Sequence, residues 1–434
     1  MNKNFLRILI LTLTLAMLAC AFGCGGTSDG DSNKPSGTYQ PGMTTDEKFA
    51  ANYQSLLKGD AVLKIEITIA NEYYAEILAA PEDETYYNAD IKIGTDTVSK
   101  VGFRTSGNTD LSEFGDSSQN RYSYKVKFDK YVDKQKYVKL DEMYLLNLKS
   151  DPSYMRAFLA YSAFRAIGGN SPLCSYAEFS INGTSQGLYL AVEAVDDAFL
   201  KRVFGDNDGV NLYKADEGAD LLSTASLALL EQKNGDDETK TDLAQLIQIL
   251  NETPEGEKGE IESILDVDSA LRYIAVCTGL GIYKSYLSKN PDNYYLACKE
   301  GKFYVIPWNM NSAFGAASKD NGVSVDISPY EPVYRTTMSE RPLASKLLAV
   351  DEYVTRYEGY VTAVREFLDG IDSKIDTLDK LIADSVKSDT TGFYSYEQYL
   401  VAIGKSNPED NTTGIIAMQE YAALRRDFLK SLNF

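Results

Sequence analysis

From Asn290 to Gly315 the chain reads NPDNYYLACKEGKFYVIPWNMNSAFG. Tyr294–Cys298 and Phe303–Ile306 are aromatic and β-branched runs, and Lys299-Glu300-Gly301-Lys302 forms the turn between them. A turn only four residues long brings the chain back beside its start. Asn293 and Asn309 are therefore predicted at the same end of one hairpin. Beyond Asp216 the rest of the chain is patterned for helix, so this hairpin is embedded in a helical half.

The first half has the opposite texture. Leu63–Ile69 alternates apolar and polar residues, as a half-buried strand does. Ala89–Ile93 and Lys100–Arg104 continue a sheet. Tyr122–Phe128 is another strand, with Tyr124, Val126 and Phe128 on one face and Lys125 and Lys127 on the other. Asp151-Pro152-Ser153 opens a helix that Gly168-Gly169 closes. A hairpin of Tyr176–Ile181 and Leu188–Val192 turns at Asn182-Gly183, and Asp196–Phe204 is helical. Asp206-Asn207-Asp208-Gly209 reads as a turn, since it lacks the spacing and closing Glu of a calcium loop. The order of elements gives an α+β fold.

Composition removes whole classes of chemistry. The 434 residues include no histidine, which excludes Ser-His-Asp and Cys-His catalysis and the His-based zinc sites. No phosphate-binding GxxxxGK[ST] loop occurs. A net charge of -20 argues against nucleic acid or an anionic membrane surface as a main partner. The 31 tyrosines suit an aromatic core, and secondarily contacts to proteins or carbohydrate.

The N-terminus has the pattern of a secretion signal. Lys3 and Arg7 precede an apolar stretch from Ile8 to Leu18, shorter than the ~20 residues of a membrane span. Cys24 is read as a lipidated cysteine; it is preferred over Cys20 because Gly25-Gly26 start a tether. The expected segments are a signal peptide over 1–24, then a flexible tether with a short helix at Thr45–Leu57 over 25–60. A β-rich lobe over 61–195 and an α-rich lobe over 196–434 complete the chain, which is expected to be extracytoplasmic and membrane-anchored. Cys174, Cys277 and Cys298 are read as buried free thiols.

An ordered set of short motifs resembles the CotH kinase family, the spore-coat type of atypical kinase. It runs through Val101–Thr109, Tyr124–Phe128, Met155-Arg156, Ile181-Asn182-Gly183, Gly187-Leu188-Tyr189 and Glu193. It continues with Val195-Asp196, Leu212-Tyr213-Lys214, Asn293–Leu296, Ile306-Pro307-Trp308, Phe314-Gly315 and Arg341-Pro342-Leu343. The resemblance covers about Val62 to Phe434. It implies a bilobal atypical protein-kinase-like fold, with the hairpin beneath an interlobe cleft, and ATP and Mg²⁺ as cofactors. On that basis Arg104, Asn108, Lys125, Lys127 and Glu193 are candidates to contact a nucleotide. Asn293 and Asn309 stand at metal-ligand positions, and Lys284 and Asp292 at the catalytic loop.

Two departures weaken the expected chemistry. Phosphoryl transfer needs carboxylates to hold the metal and an aspartate to orient the acceptor hydroxyl. The resemblance places Lys284 where the family has the catalytic aspartate and Asn309 where it has the metal-binding one. Losing one such group commonly costs ~3–5 kcal/mol in barrier. Asp292 is the nearest spare carboxylate. No glutamate occurs in the Asp151–Gly168 helix, so the usual Lys–Glu pair has no assignment. The expectation is a surface-anchored pseudokinase serving a protein partner at the cell surface or spore coat, with nucleotide binding that depends little on Mg²⁺. The alternatives are an active Ser/Thr kinase and a non-nucleotide extracellular binding protein.

Overall fold

Alternating strands need something to cover their apolar faces, and here the first half covers its own by closing on itself. In the computed structural model, which describes residues 37–38, 51–107, 120–236, 238–316 and 325–434, seven strands form a closed barrel. They are β1 (Leu63–Ile69), β2 (Tyr87–Ile93), β3 (Asp96–Ser106), β4 (Ser123–Lys127), β5 (Glu142–Leu146), β6 (Cys174–Ile181) and β7 (Thr184–Glu193). The order around the barrel is β1-β2-β3-β4-β5-β7-β6. A parallel pairing of β1 with β6, from Leu63↔Ala177 to Ile67↔Ile181, shuts it. Closure removes the exposed edges that an open sheet would carry. The predicted signal segment, Cys24, Asn108, the tether apart from Gly37–Thr38, and residues 45–50 of the predicted Thr45–Leu57 helix lie outside the described residues; Ala51–Asn52 is not helical but pairs in parallel with Gly37–Thr38. Of that helix, Tyr53–Leu56 is helical.

Period two decides what enters the barrel. Ile65, Ile67, Ile91, Phe103, Tyr124, Val126, Phe128, Met143, Leu145 and Phe179 are buried within it. Tyr124, Val126 and Phe128 thus share the inner face, as their alternation predicts, and Lys125 and Lys127 point outward. The outer side of β6 and β7 is apolar too. Tyr176, Leu188, Leu190 and Val192 belong to a second core made mainly by the helices.

A four-stranded antiparallel sheet follows, with strands β8 (Val210–Ala215), β9 (Leu230–Asn234), β10 (Tyr294–Lys299) and β11 (Lys302–Pro307) in the order β9-β8-β10-β11. The β10–β11 hairpin is tighter than the sequence reading. Lys299 pairs with Lys302, which leaves Glu300-Gly301 as a two-residue turn. Both have positive φ, 53° and 77°, the combination that matches strand twist in such a turn. At the other end Tyr294 pairs with Pro307, and the Trp308 N–H donates to the Asn293 carbonyl at 3.1 Å. Asn293 and Asn309 do lie at one end.

Helices fill the remainder. The one predicted from Asp151 begins only at Arg156 and runs to Ala166 (α2, after α1 at Asn71–Ala79, which the strand-dominated pattern hid). The Asp151 carboxylate accepts from the N–H groups of Ser153 and Arg156 at 2.9 and 2.8 Å. These bonds hold residues 151–155 as a turn rather than a helical start. Asp196 caps α3 (Asp197–Phe204), accepting from Ala198 N–H at 3.0 Å. Further on come α4 (Thr241–Glu252), α5 (Val267–Gly279), α6 (Pro342–Leu348), α7 (Asp351–Asp369), α8 (Ile371–Ser388), α9 (Tyr396–Ala402) and α10 (Met418–Ser431). In α7, Tyr353, Tyr357, Val361, Val364 and Leu368 recur at helical period, and all are buried against the core. Cys174, Cys277 and Cys298 are free and buried, with burial pushing each thiol up to about 12.

Two buried arginines bind distant segments together. Arg121 sits beside β4 and pairs with Asp389, just past α8, at 2.7 Å; the two side chains are 2% and 1% exposed. Arg121 also donates to the Leu188 carbonyl at 2.6 Å. Arg156 donates to the carbonyls of Ala313, Phe314 and Ile416 at 2.8, 2.9 and 2.6 Å. Each lies in a position where removing its partner would strand a buried charge. Residues Gly37–Phe434 form one compact unit.

Candidate functional site

The outer face of the barrel supplies half of a polar cleft. Lys125 and Lys127 alternate outward from β4, and cross-strand pairing sets Lys125 opposite Tyr144 and Lys127 opposite Glu142. Glu142, with its side chain 11% exposed, receives both ammonium groups: Lys125 on Oε2, and Lys127 on Oε1 at 2.8 Å. Burial pushes the Glu142 carboxyl up, and the two lysines more than offset it, so it lies below the ordinary carboxylate value. Lys125 thus does have a glutamate partner, which the sequence pattern does not reveal. The glutamate comes from the neighbouring strand and not from a helix. Its signal is present in the alternation of Glu142–Leu146, but strand register is not legible without the pairing.

The other half comes from the sheet. A cavity of about 340 Å³ is lined by Lys125, Lys127, Asp129, Asp141, Glu142 and Tyr144 on the barrel side, by Ala194–Asp197 at the connection into α3, and by Lys233, Asn234 and Tyr295 on the sheet side. Aromatic contacts cross from one half to the other. Lys125 Nζ lies 5.1 Å from the Tyr144 ring centroid. Tyr144 meets Trp308 edge-on at 4.9 Å, and Trp308 meets Tyr295 at 5.8 Å. Trp308 therefore links the barrel lysines to the neighbouring Asn309.

At the hairpin base the groups are close-knit. Asn293 and Asn309 both adopt left-handed φ, 58° and 50°. The Asn293 amide donates to the Lys284 carbonyl at 3.3 Å, and the Asn309 N–H donates to the Tyr161 hydroxyl at 3.1 Å. The Lys284 side chain is exposed and forms no ion pair among the described residues. Asp292 has a buried Oδ1 with no hydrogen-bond partner. Burial pushes its carboxyl up to about 7; the Lys284 charge opposes that rise and Glu217 adds to it. A chain of contacts thus joins Lys125, Tyr144, Trp308, Asn293 and the Lys284 backbone, with Asp292 next to Asn293 in sequence.

Two of the predicted nucleotide contacts are placed otherwise. Arg104 is paired with Glu84 and covers the Tyr86 ring at 5.0 Å. It does not line the cavity, because Glu84 holds it against the barrel. Glu193 is fully buried and saturated: Arg202 donates to both of its oxygens at 2.9 and 2.6 Å, and the Leu173 N–H to one at 2.9 Å. Tyr53 donates to it as well. Glu193 clamps the connection whose next residues, Ala194–Asp197, line the cleft. Asp196 does face the cavity, and its Oδ2 is buried without a partner. Burial, then Glu142, Asp141 and Glu193, push its carboxyl well above the ordinary value.

Lys214 stands out in the sequence only as part of a motif. It pairs across β8–β10 with Tyr295 and across β8–β9 with Glu231, so it shares the cleft-facing side of the sheet. It forms no ion pair among the described residues. Burial first, then Lys233, hold its ammonium below the ordinary lysine value.

The donors at the hairpin base are one carboxylate, Asp292, and two amides. Hard divalent cations are held chiefly by carboxylate oxygens, and no group of three or more acidic or Cys side chains among the described residues is arranged to hold a metal. Mg²⁺ at phosphate-handling sites is held by one or two carboxylates together with phosphate oxygens and water, and Asp292 is the carboxylate of this set that could take part. The cleft has the volume of a small-molecule site, and its lining mixes three lysines, Lys125, Lys127 and Lys233, with the carboxylates of Asp129, Asp141, Glu142, Asp196 and Asp197.

Residues 104–429 match the family described as CotH kinase protein. The chain is 33% identical over 187 residues to the inner spore coat protein H of Bacillus subtilis (strain 168), which covers 40% of this chain and 50% of that protein. It is 28% identical over 171 residues to the inner spore coat protein H-like protein of the same organism, 38% of this chain and 46% of that one. It spans about half the length of these curated relatives. Among solved structures, the Helicobacter pylori proinflammatory kinase CtkA aligns at 10% identity and TM-score 0.26, over 56% of this chain and 92% of that chain. The HipA, HipB and operator DNA complex of Shewanella oneidensis MR-1 aligns at 10% identity and TM-score 0.32, over 83% and 79%.

Proposed function

The chain belongs to the CotH kinase family, and from that premise we propose that it is a surface-anchored pseudokinase. In this reading it is a nucleotide-binding protein that serves a partner in assembling a cell-surface or spore-coat structure. The observation that carries the reading is the base of the hairpin. There the chain carries the amides of Asn293 and Asn309 and the exposed Lys284 beside Asp292, with Glu217 in electrostatic reach of it, so little negative charge is available for a magnesium ion. The lysines of the cleft supply the countercharge for phosphates instead. Lys125 and Lys127 share Glu142, Lys127 also lies 3.5 Å from Asp129, and Lys214 adds an ammonium that forms no ion pair among the described residues. No helix of the described residues is long and apolar enough to cross a membrane; attachment is proposed through Cys24.

The test is a thermal-shift titration with ATP in the presence and absence of Mg²⁺. Wild type is expected to bind weakly with little Mg²⁺ dependence, and Lys214→Met to bind roughly tenfold more weakly. The Lys284→Asp/Asn309→Asp double variant is expected to become Mg²⁺-dependent. Single reversions should do much less, because both groups act on one bound phosphate. Absence of ATP binding by the wild type overturns the reading in favour of a protein that binds no nucleotide.

A second reading has its own support. A half-buried carboxyl that desolvation pushes up to about 7 beside the hairpin base is poised as a general base, and Asp292 has one buried oxygen without a hydrogen-bond partner. Mg²⁺-dependent phosphate transfer to a Ser-containing substrate by the wild type, abolished by Asp292→Ala, would establish an active kinase.

A further inference from the structure

A separate cavity of about 560 Å³ is walled by Gly218 and Asp220 from the β8–β9 connection, by Lys289 and Pro291, and by the segment from Arg335 to Arg341. All of its walls are tied to one loop. The Gly218 N–H donates to the Pro291 carbonyl at 2.9 Å, and the Tyr334 N–H to the Leu287 carbonyl at 2.9 Å. Arg341, 3% exposed, donates to the Ser288 carbonyl from Nε at 3.0 Å and to the Lys289 carbonyl from Nη2 at 2.9 Å. The same loop runs straight on into Asp292 and Asn293. A ligand in this cavity is therefore held at a fixed offset from the hairpin base, with no rearrangement needed to set the register.

The charge of the cavity is opposite to that of the chain. Lys289, Arg335 and Arg341 face Asp220 and Glu340, one positive charge in excess, on a protein of net charge -20. Both carboxylates are engaged within their own segments. Asp220 accepts from Ser226 Oγ at 2.7 Å and from Leu222 N–H at 2.9 Å. Glu340 accepts from Thr336 Oγ1 and from Thr337 N–H at 3.3 Å. Lys289 is exposed and forms no ion pair among the described residues. Arg335 lies against the Tyr334 ring at 5.1 Å, and Tyr334 stacks on Tyr283 at 4.4 Å, which fixes where the guanidinium emerges.

We propose that this cavity docks an anionic side chain, carboxylate or phosphate, of a polypeptide segment whose adjoining residues then lie across the Asp292–Asn293 turn. The site requires no nucleotide and no phosphate transfer, so it stands apart from the pseudokinase reading. It gives the partner a chemistry: an extended segment with acidic or phosphorylated residues.

Fluorescence anisotropy on the full chain tests this, using labelled ten-residue peptides of one backbone sequence. One carries aspartates, one phosphoserines, one neutral residues and one lysines. The anionic peptides are expected to bind at least ~10-fold more tightly than the neutral one, with an affinity that falls as salt rises. The Lys289→Glu/Arg335→Glu variant should lose that advantage. Lys380→Glu, on a helix that lines neither cavity, should keep it. Preference for phosphoserine over aspartate identifies a phosphorylated partner, and equal binding an acidic one. Equal binding of all four peptides, or anionic binding that survives the Lys289/Arg335 double variant while the melting temperature is unchanged, overturns the proposal. So does saturable binding of inorganic polyphosphate when no peptide binds.

Discussion

Replacing Asp292 with asparagine removes a charge that the fold holds at a loss, and the effect should be visible as a pH-dependent gain in stability. The carboxyl sits at about 7 in the folded protein against an ordinary value of 3.8. Between those values the folded chain keeps a proton that the unfolded chain has released. Stability therefore falls as pH rises through that window and levels off above it. At ~1.4 kcal/mol for each pH unit, full linkage would be about 4 kcal/mol. The side chain is partly exposed and Lys284 screens it, so about 2 kcal/mol is the realistic size. The Asp292→Asn variant would lack this dependence, while every other titrating group is common to both proteins and cancels in the difference. Urea unfolding of wild type and variant at pH 5, 6, 7 and 8 reads that difference directly. It should be near zero or unfavourable at pH 5 and rise to about 2 kcal/mol in favour of the variant at pH 8. Parallel profiles would refute the argument, and with it the picture of Asp292 as a desolvated base.

Glu142→Gln strips the shared counter-charge from Lys125 and Lys127. Because Lys127 is a third exposed, a loss of about 2–3 kcal/mol is expected rather than the larger cost of breaking a fully buried pair. A change under about 0.5 kcal/mol in urea unfolding, the size of an ordinary surface substitution, would show that the lysines relax into water. For anchoring, Cys24→Ala should release the protein from membranes, and mass spectrometry should find the lipid on Cys24; an unmodified mature chain starting well beyond it would exclude the anchor.

What was legible in the sequence was whatever depends on local period. The alternation of Tyr124, Val126 and Phe128 placed the β4 lysines on the outside, and the spacing of Asn293 and Asn309 around a short turn placed them together. What was not legible depended on which strands become neighbours. Closure of the barrel rests on a parallel β1–β6 pairing between segments more than a hundred residues apart, and nothing in either segment announces it. The same blindness hid Glu142 as the partner of Lys125, and Lys214 as a cleft residue, since both relations are cross-strand. The surroundings of Glu193 were hidden for a related reason: its position at a strand end was legible, but not that Arg202, nine residues on, turns back to pair with it. The Asp151 turn replaced a helical start because a carboxylate that reaches two N–H groups competes with the first helical bonds.

The tie between Arg121 and Asp389 has a bearing on how such a chain is made. The two residues are 268 positions apart, so during synthesis the barrel strands emerge long before the carboxylate that completes their surroundings. At the ~5–20 residues per second typical of translation, that interval lasts roughly ten seconds to a minute. Throughout it the guanidinium has the Leu188 carbonyl and the face of the Tyr189 ring to meet, but not Asp389. A nascent barrel is therefore an unfinished surface, and its consolidation is a late, long-range event governed by the last helices. Ribosome-held chains cut short before Asp389 should be open to protease at the barrel, and chains long enough to free Asp389 from the ribosome should not.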